Sequence, residues 1–159
     1  MFTLSFLDKP GPRLFRLCSR TFVAVYSRLP LLGELRCAVG VIERGDRVLL
    51  QDRSDGCGWS FPGGVAWFWE RPEQTMRREV REETGMEVGP CRLLFSYACR
   101  QPIPQRIFVY AAEAAGEPRP SWEGVSSWQR REAIPEPFFE PHRPILERLR
   151  DPRIPFSSQ

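Results

Sequence analysis

The chain has 159 residues, 42% hydrophobic and 27% charged, which describes a soluble globular protein with one real core and too little length for two ordinary ones. Its five scattered cysteines never form a C-x-x-C pair and read as reduced thiols of an intracellular protein, not as a zinc site or disulfide frame; with a single histidine, His142, a histidine-based triad or zinc catalysis is not expected. A net charge of +3 is too modest to argue for a nucleic-acid partner, and no apolar run approaches the length of a membrane span or forms a secretory signal, so a cytoplasmic protein is expected.

Almost all of the basic charge is arginine, Lys9 being the one lysine. After Pro10-Gly11-Pro12, residues 13–29 form a predicted amphipathic helix. Leu14, Phe15, Cys18, Phe22, Val25, Tyr26 and Leu29 share one face, with Arg13, Arg16 and Arg20 opposite. Such a helix packs on its own domain or on a second copy in a homodimer, or lies as a basic amphipathic helix on an anionic membrane surface.

Cys37 to Ile42 is a short apolar run, Glu43-Arg44-Gly45-Asp46 a turn, and Val48 to Gln51 a second run, so the pair is predicted as a hairpin. Asp52 to Gly58 follows as a loop. A helix is predicted from Pro72 to a C′ glycine at Gly85, with Met76, Val80 and Thr84 toward a sheet. Arg92–Arg100 and Gln105–Ala114 are predicted strands around a Gln-Pro-Ile-Pro turn, Glu123–Trp128 a short strand and Pro141–Arg150 a closing helix. The order is consistent with a mixed sheet covered by helices, and residues 151–159 are expected as a loose tail.

The chemistry sits between Gly64 and Met86, GVAWFWERPEQTMRREVREETGM. On a helix, Glu79, Glu82 and Glu83 fall within an arc of roughly 100°, and Arg78 stands four residues from Glu82, the spacing of a surface ion pair. Carboxylates crowded on one arc repel unless a cation lies between them. A hard divalent ion with oxygen ligands, Mg²⁺ or Mn²⁺, is the natural occupant, with substrate phosphates completing its shell. Glutamate/arginine runs are usually just solvated faces. Here a Pro62-Gly63-Gly64 turn precedes the helix and places a backbone carbonyl where it can turn toward the metal.

The same run resembles the Nudix box, G-x5-E-x7-R-E-U-x-E-E-x-G-U with U aliphatic, and agrees at every specified position: Gly64, Glu70, Arg78, Glu79, Val80, Glu82, Glu83, Gly85 and Met86. The resemblance covers residues 36–150, leaves residues 1–35 as an N-terminal extension, and implies an α/β/α sandwich with a mixed sheet. It also implies a Mg²⁺- or Mn²⁺-dependent hydrolase of a nucleoside diphosphate linked to another moiety, with metal-activated water attacking phosphorus. By position, Glu79, Glu82, Glu83 and the Gly63 carbonyl would hold metal, Arg78 would orient a carboxylate and Glu70 would support the loop–helix junction. A further glutamate often serves such enzymes as base, and Glu123 is the candidate here, with Glu113 behind it.

Three departures from the common pattern are notable. Trp67-Phe68-Trp69 stands where many members carry a glutamate and a glycine, and Thr75 and Met76 replace small residues. The triplet either plugs the core or stacks on a base or apolar group of the substrate. Arg53, Trp59, Trp67, Trp69 and Arg100 are the candidate substrate contacts. ADP-ribose, a nucleotide sugar and a nucleoside triphosphate all remain open as the small-molecule substrate. Pro102 lies 16 residues past the box, near a proline of ADP-ribose-hydrolysing members, but the chain has 16 prolines. A regulatory domain that binds nucleotide without turnover is the alternative function, and it would not need the full acidic set.

Overall fold

The computed structural model describes Thr21, residues 24–26 and residues 33–149. Thr21 and residues 24–26 are helical, and Tyr26 packs with Leu35 and Ile103. The rest of the predicted N-terminal helix, with its membrane or dimer contact, lies outside the described residues, as does the tail.

Residues 33–149 form seven strands, two α-helices and two short 3-10 turns (Arg131–Ala133 and Glu140–His142): β1 (Leu35–Arg44), β2 (Arg47–Arg53), β3 (Trp59–Ser60), β4 (Gly63–Val65), α1 (Pro72–Thr84), β5 (Glu87–Cys99), β6 (Gln105–Ala115), β7 (Gly124–Arg130) and α2 (Arg143–Leu149). The strands run in the order β3-β2-β1-β6-β5, with β4 on β1 and β7 on β2. β1 and β6 are parallel from Leu35↔Gln105 to Ile42↔Ala112, while the β1–β2, β1–β4, β2–β3, β2–β7 and β5–β6 pairs are antiparallel.

Alternation along β1 explains the layers. Cys37, Val39 and Val41 point to one face and join Ile107, Val109 and the α2 residues Ile145, Leu146 and Leu149. Ala38 and Ile42 point to the other, against Met76 and Val80 of α1. With both faces covered, the strand is a continuous apolar run. Between Ala38 and Ile42, Gly40 leaves room for the helix, since a Cβ there would lie 3.1 Å from Val80 Cγ2 and 3.3 Å from Met76 Sδ. This is the expected mixed sheet between helices.

Two local expectations change. The β1–β2 hairpin survives only at its turn, where Glu43 and Arg44 pair with Val48 and Arg47. The apolar stretch of β1 instead pairs with β4 and β6, and β2 pairs along its length with β7. Local pattern identifies strands but not which distant strand wins their edges. β5 also begins at Glu87, ahead of the expected Arg92, and passes through Gly89-Pro90 by a shift in register between Val88 and Cys91. A proline is tolerated there because β5 is an edge strand with a bulge.

Candidate active site

Pro62, Gly63 and Gly64 turn the chain from β3 into β4, and the turn is built for contact. The Gly40 amide donates to the Pro62 carbonyl at 2.9 Å. A Cβ on Gly63 would sit 2.3 Å from the Ala38 carbonyl oxygen, and one on Gly64 would sit 2.5 Å from Glu79 Oε1. Only glycine lets the backbone approach both the sheet and the carboxylates so closely.

The helix that carries the carboxylates is well begun and well ended. Arg71 caps it in an extended conformation, Pro72 takes the first position and the Gln74 side chain accepts the Arg71 amide at 2.9 Å. Gly85 stops it at φ 71°, its amide donating to Arg81. Ahead of the helix, Glu70 accepts from Arg78 Nε at 2.7 Å and Nη2 at 3.1 Å, from the Trp67 amide at 3.0 Å and from Thr75 Oγ1 at 3.0 Å. Arg78 and these donors hold its carboxyl down at about 2. Glu70 therefore stays charged and locks the loop to the helix.

Glu79 and Glu83 lie on the buried side of α1. Burial pushes the Glu79 carboxyl up to about 7 despite Arg78, whose Nη1 lies 2.8 Å from Glu79 Oε1, and Glu123 and Glu82 add to the rise. Glu83 is 2% exposed, accepts the Gly63 amide at 2.9 Å and is pushed well above the carboxylate range by burial, then by Glu123 and Glu79. Glu123, in the residue just before β7, is raised by its own burial and lies within hydrogen-bonding reach of Glu83. Glu82 is exposed and meets Arg78 Nη1 at 3.3 Å. The loop before β7 thus brings Glu123 to the helix carboxylates. Glu113 is instead exposed near the far end of β6 and lines a different cavity with Val41 and Cys91.

The other predicted residues separate. Arg53, at the end of β2, feels the charge of Glu83 and acts on Glu123. Burial opposes its charge, and a paired Asp55 outweighs that, with Nε donating to Asp55 Oδ1 at 3.0 Å and the guanidinium over the Phe139 ring. Trp59 is half-buried, its backbone tied to Pro137 and Phe139, and packs on the core. Arg100 is exposed just past the end of β5, and no described contact joins it to the carboxylates. Trp67, Phe68 and Trp69 do not plug the core: they are 54%, 86% and 64% exposed. The Glu70–Trp67 contacts turn the loop outward, and the face beneath is already filled by Met76 and Val80.

Sequence reading missed two features. Ser60, Gln51 and Ser126 are buried and directly opposed across β3, β2 and β7, so they share one face. Gln51 Nε2 and Ser126 Oγ have no partner among the described residues. The signal was present in the alternation of Val48-Leu49-Leu50-Gln51, which turns Gln51 inward beside Leu49. The second feature is His142, buried between Phe61 and Phe139, whose Nδ1 accepts the Phe61 amide at 3.3 Å just before the Pro-Gly-Gly turn. Nothing in the chain pattern signals that pairing.

These donors suit a hard cation. Among the described residues no three acidic, histidine or cysteine side chains converge tightly enough to cage an ion unaided. Carboxyls raised by burial, and then by one another, nonetheless call for positive charge, and a divalent ion completes its shell with backbone carbonyl and phosphate oxygens.

A family model described as the NUDIX domain matches residues 34–149. The chain is 39% identical over 70 residues to an 8-oxo-dGTP diphosphatase of Proteus vulgaris, covering 41% of this chain and 62% of that protein. It is 37% identical over 76 residues to an RNA pyrophosphohydrolase of Pseudomonas aeruginosa, covering 43% and 46%. The matched stretch spans less than two thirds of either relative. A MutT NUDIX hydrolase from Burkholderia pseudomallei shares the fold at a TM-score of 0.65 and 27% identity, over 72% of this chain and 96% of that one. With the complete box mounted on a glycine turn against β1, and with the family model matching through the closing helix, the chain belongs to the Nudix hydrolase family.

Proposed function

We propose that this protein hydrolyses a pyrophosphate linkage in a nucleoside diphosphate derivative, using Mg²⁺ or Mn²⁺. The observation that carries the reading is the set of Glu79, Glu82, Glu83 and Glu123 around one turn, two of them buried with raised protonation. Such a set costs stability unless a cation and its substrate use it. Glu79, Glu82, Glu83 and the Gly63 carbonyl would hold the metal. Bound there, the ion would polarise the phosphoryl oxygens and ease ionisation of water.

The chain's own residues carry the rest. Arg78 bridges Glu70, Glu79 and Glu82 and so fixes the spacing of the carboxylates. Arg53 supplies positive charge on the opposite wall, beside Glu123. In the reaction a water oxygen forms a bond to one phosphorus, the bridging P–O bond breaks and its electron pair leaves with the departing phosphate. Glu123, within hydrogen-bonding reach of Glu83, would accept the proton that water releases, as a general base. Candidate substrates include an 8-oxo or ordinary nucleoside triphosphate, ADP-ribose, a nucleotide sugar and a triphosphorylated RNA end.

A panel of these compounds with Mg²⁺ or Mn²⁺, scored for released phosphate or nucleoside monophosphate, tests the reading. At least one compound is expected to turn over, and Glu82→Gln to reduce that turnover about a hundredfold, the scale on which metal-site changes act. Silence across the whole panel, or equal rates for the variant, would sink the proposal.

A further inference from the structure

The loop between Gly64 and Glu70 carries three consecutive exposed aromatic side chains, Phe68 among them at 86% exposure. Exposed apolar groups of this size, grouped together, mark a contact surface. Their arrangement is ordered. The Trp67 and Trp69 rings are stacked, with centroids 5.7 Å apart and planes within 4°, and Phe68 stands edge-on to Trp69 at 4.3 Å. The backbone beneath is held at both ends. The Ala66 amide donates to Arg36 at 2.7 Å, the Glu70 amide to Trp67 at 3.0 Å, and Arg36 Nη2 to the Phe68 carbonyl at 3.2 Å. A platform fixed in this way presents its flat faces without first having to be ordered.

Its position narrows the occupant. The Arg78 guanidinium lies 5.9 Å from the Trp67 ring centroid, and the same guanidinium contacts Glu79 and Glu82. One side chain therefore joins the platform to the proposed phosphate site. Arg36 and Arg71, both exposed, stand beside the loop and complement an anionic chain passing between the two. Three side chains flanked by charge are too small for a stable protein interface, which needs about 800 Å² on each partner. A single planar ring attached to a phosphate chain fits the size, the flatness and the charge.

We infer that Trp67 and Trp69 stack the second planar ring of the substrate, so that this chain prefers a pyrophosphate compound bearing a heteroaromatic ring at each end. The inference rests on the hydrolase reading and names its substrate class: dinucleotide-type compounds rather than mononucleoside polyphosphates. Stacking of a base on an aromatic side chain is worth about tenfold in affinity or more.

The test compares diadenosine tetraphosphate with adenosine tetraphosphate, which has the same phosphate number and one ring fewer. The full chain is expected to favour the two-ring compound in kcat/KM by about tenfold or more. Trp67→Ala with Trp69→Ala should bring that ratio close to one, through KM, and Trp67→Phe with Trp69→Phe should restore most of it. No preference in the parent chain, or a ratio that survives the alanine pair, overturns the inference. If neither compound turns over, the hydrolase reading still stands or falls with the full substrate panel. The platform is then tested by equilibrium binding of diadenosine tetraphosphate, whose Kd should rise about tenfold in the alanine pair; an unchanged Kd overturns it.

Discussion

Single residues at this site are chosen by distances shorter than a side chain. Gly64 is the clearest case, because the motif specifies it and the fold shows why: a methyl there would sit 2.5 Å from Glu79 Oε1 and 2.6 Å from its carboxyl carbon. Gly64→Ala is therefore expected to leave the protein folded but to push the Glu79 carboxylate out of line. Turnover of whichever panel compound is hydrolysed should fall about a hundredfold, as misplacement by an ångström does. A variant with parental kcat/KM and an unchanged melting curve would show that Glu79 tolerates the shift. The specified residues of the box were readable in sequence because their spacing follows the motif, and Glu79, Glu82 and Glu83 on the helix share one arc. Glu123 is readable only as a candidate, since forty residues separate it from Glu83 and only the β7 approach brings them together. Its competitor Glu113 has the same side chain and a different address, and no local pattern distinguishes the two.

At the scale of elements, α1 was legible from end to end. Its start, its stop at Gly85 and its apolar stripe of Met76, Val80 and Thr84 all follow from short-range rules, and all three stripe residues are fully buried. The stripe positions the site, because pressing Met76 and Val80 onto Ala38, Gly40 and Ile42 sets the height of Glu79 and Glu83 over the Pro-Gly-Gly turn. Met76→Ala should lower stability by about 2–5 kcal/mol, measured as a shift in the urea midpoint at constant slope. A change below about 0.5 kcal/mol would mean that the helix is held mainly by its loop and not by this contact. The aromatic triplet shows the opposite limit. Three bulky apolar residues in a row suit a core as well as a surface. What decided for the surface was that the inner face had already been filled and that Glu70 turned the loop outward. The β1–β2 pairing failed for a related reason, since a hairpin signal says where the chain reverses and not how long the two strands stay together.

For the whole molecule, the closing segment, predicted as a helix and found as one at Arg143–Leu149, ties the core to the site turn. α2 supplies Ile145, Leu146 and Leu149 to the core that backs β1, and His142 just ahead of it supports Phe61 beside the site turn. Burial, with Arg53 nearby, pushes the His142 imidazole down to about 3 from an ordinary 6.5. The unfolded chain therefore binds a proton below pH 6.5 that the folded chain refuses until about pH 3. The His142 contribution to stability is complete above 6.5 and is lost progressively as pH falls from 6.5 toward 3. His142→Asn, which keeps an acceptor for the Phe61 amide, should narrow the difference in stability between pH 7 and pH 4 relative to the parent. An acid limb of equal steepness in both proteins would place the titration elsewhere. By itself the sequence determined the helix and its carboxylate arc, which rest on periodicity and contacts within a few residues, and the spacing of the box carried the resemblance to the family. Only the tertiary structure decided that Glu123 joins that arc, that His142 supports the turn, and that Trp67, Phe68 and Trp69 face outward beside Arg78. The physical reason is the same in each case: these are meetings between segments far apart in the chain, set by which sheet edges and faces other residues had already taken.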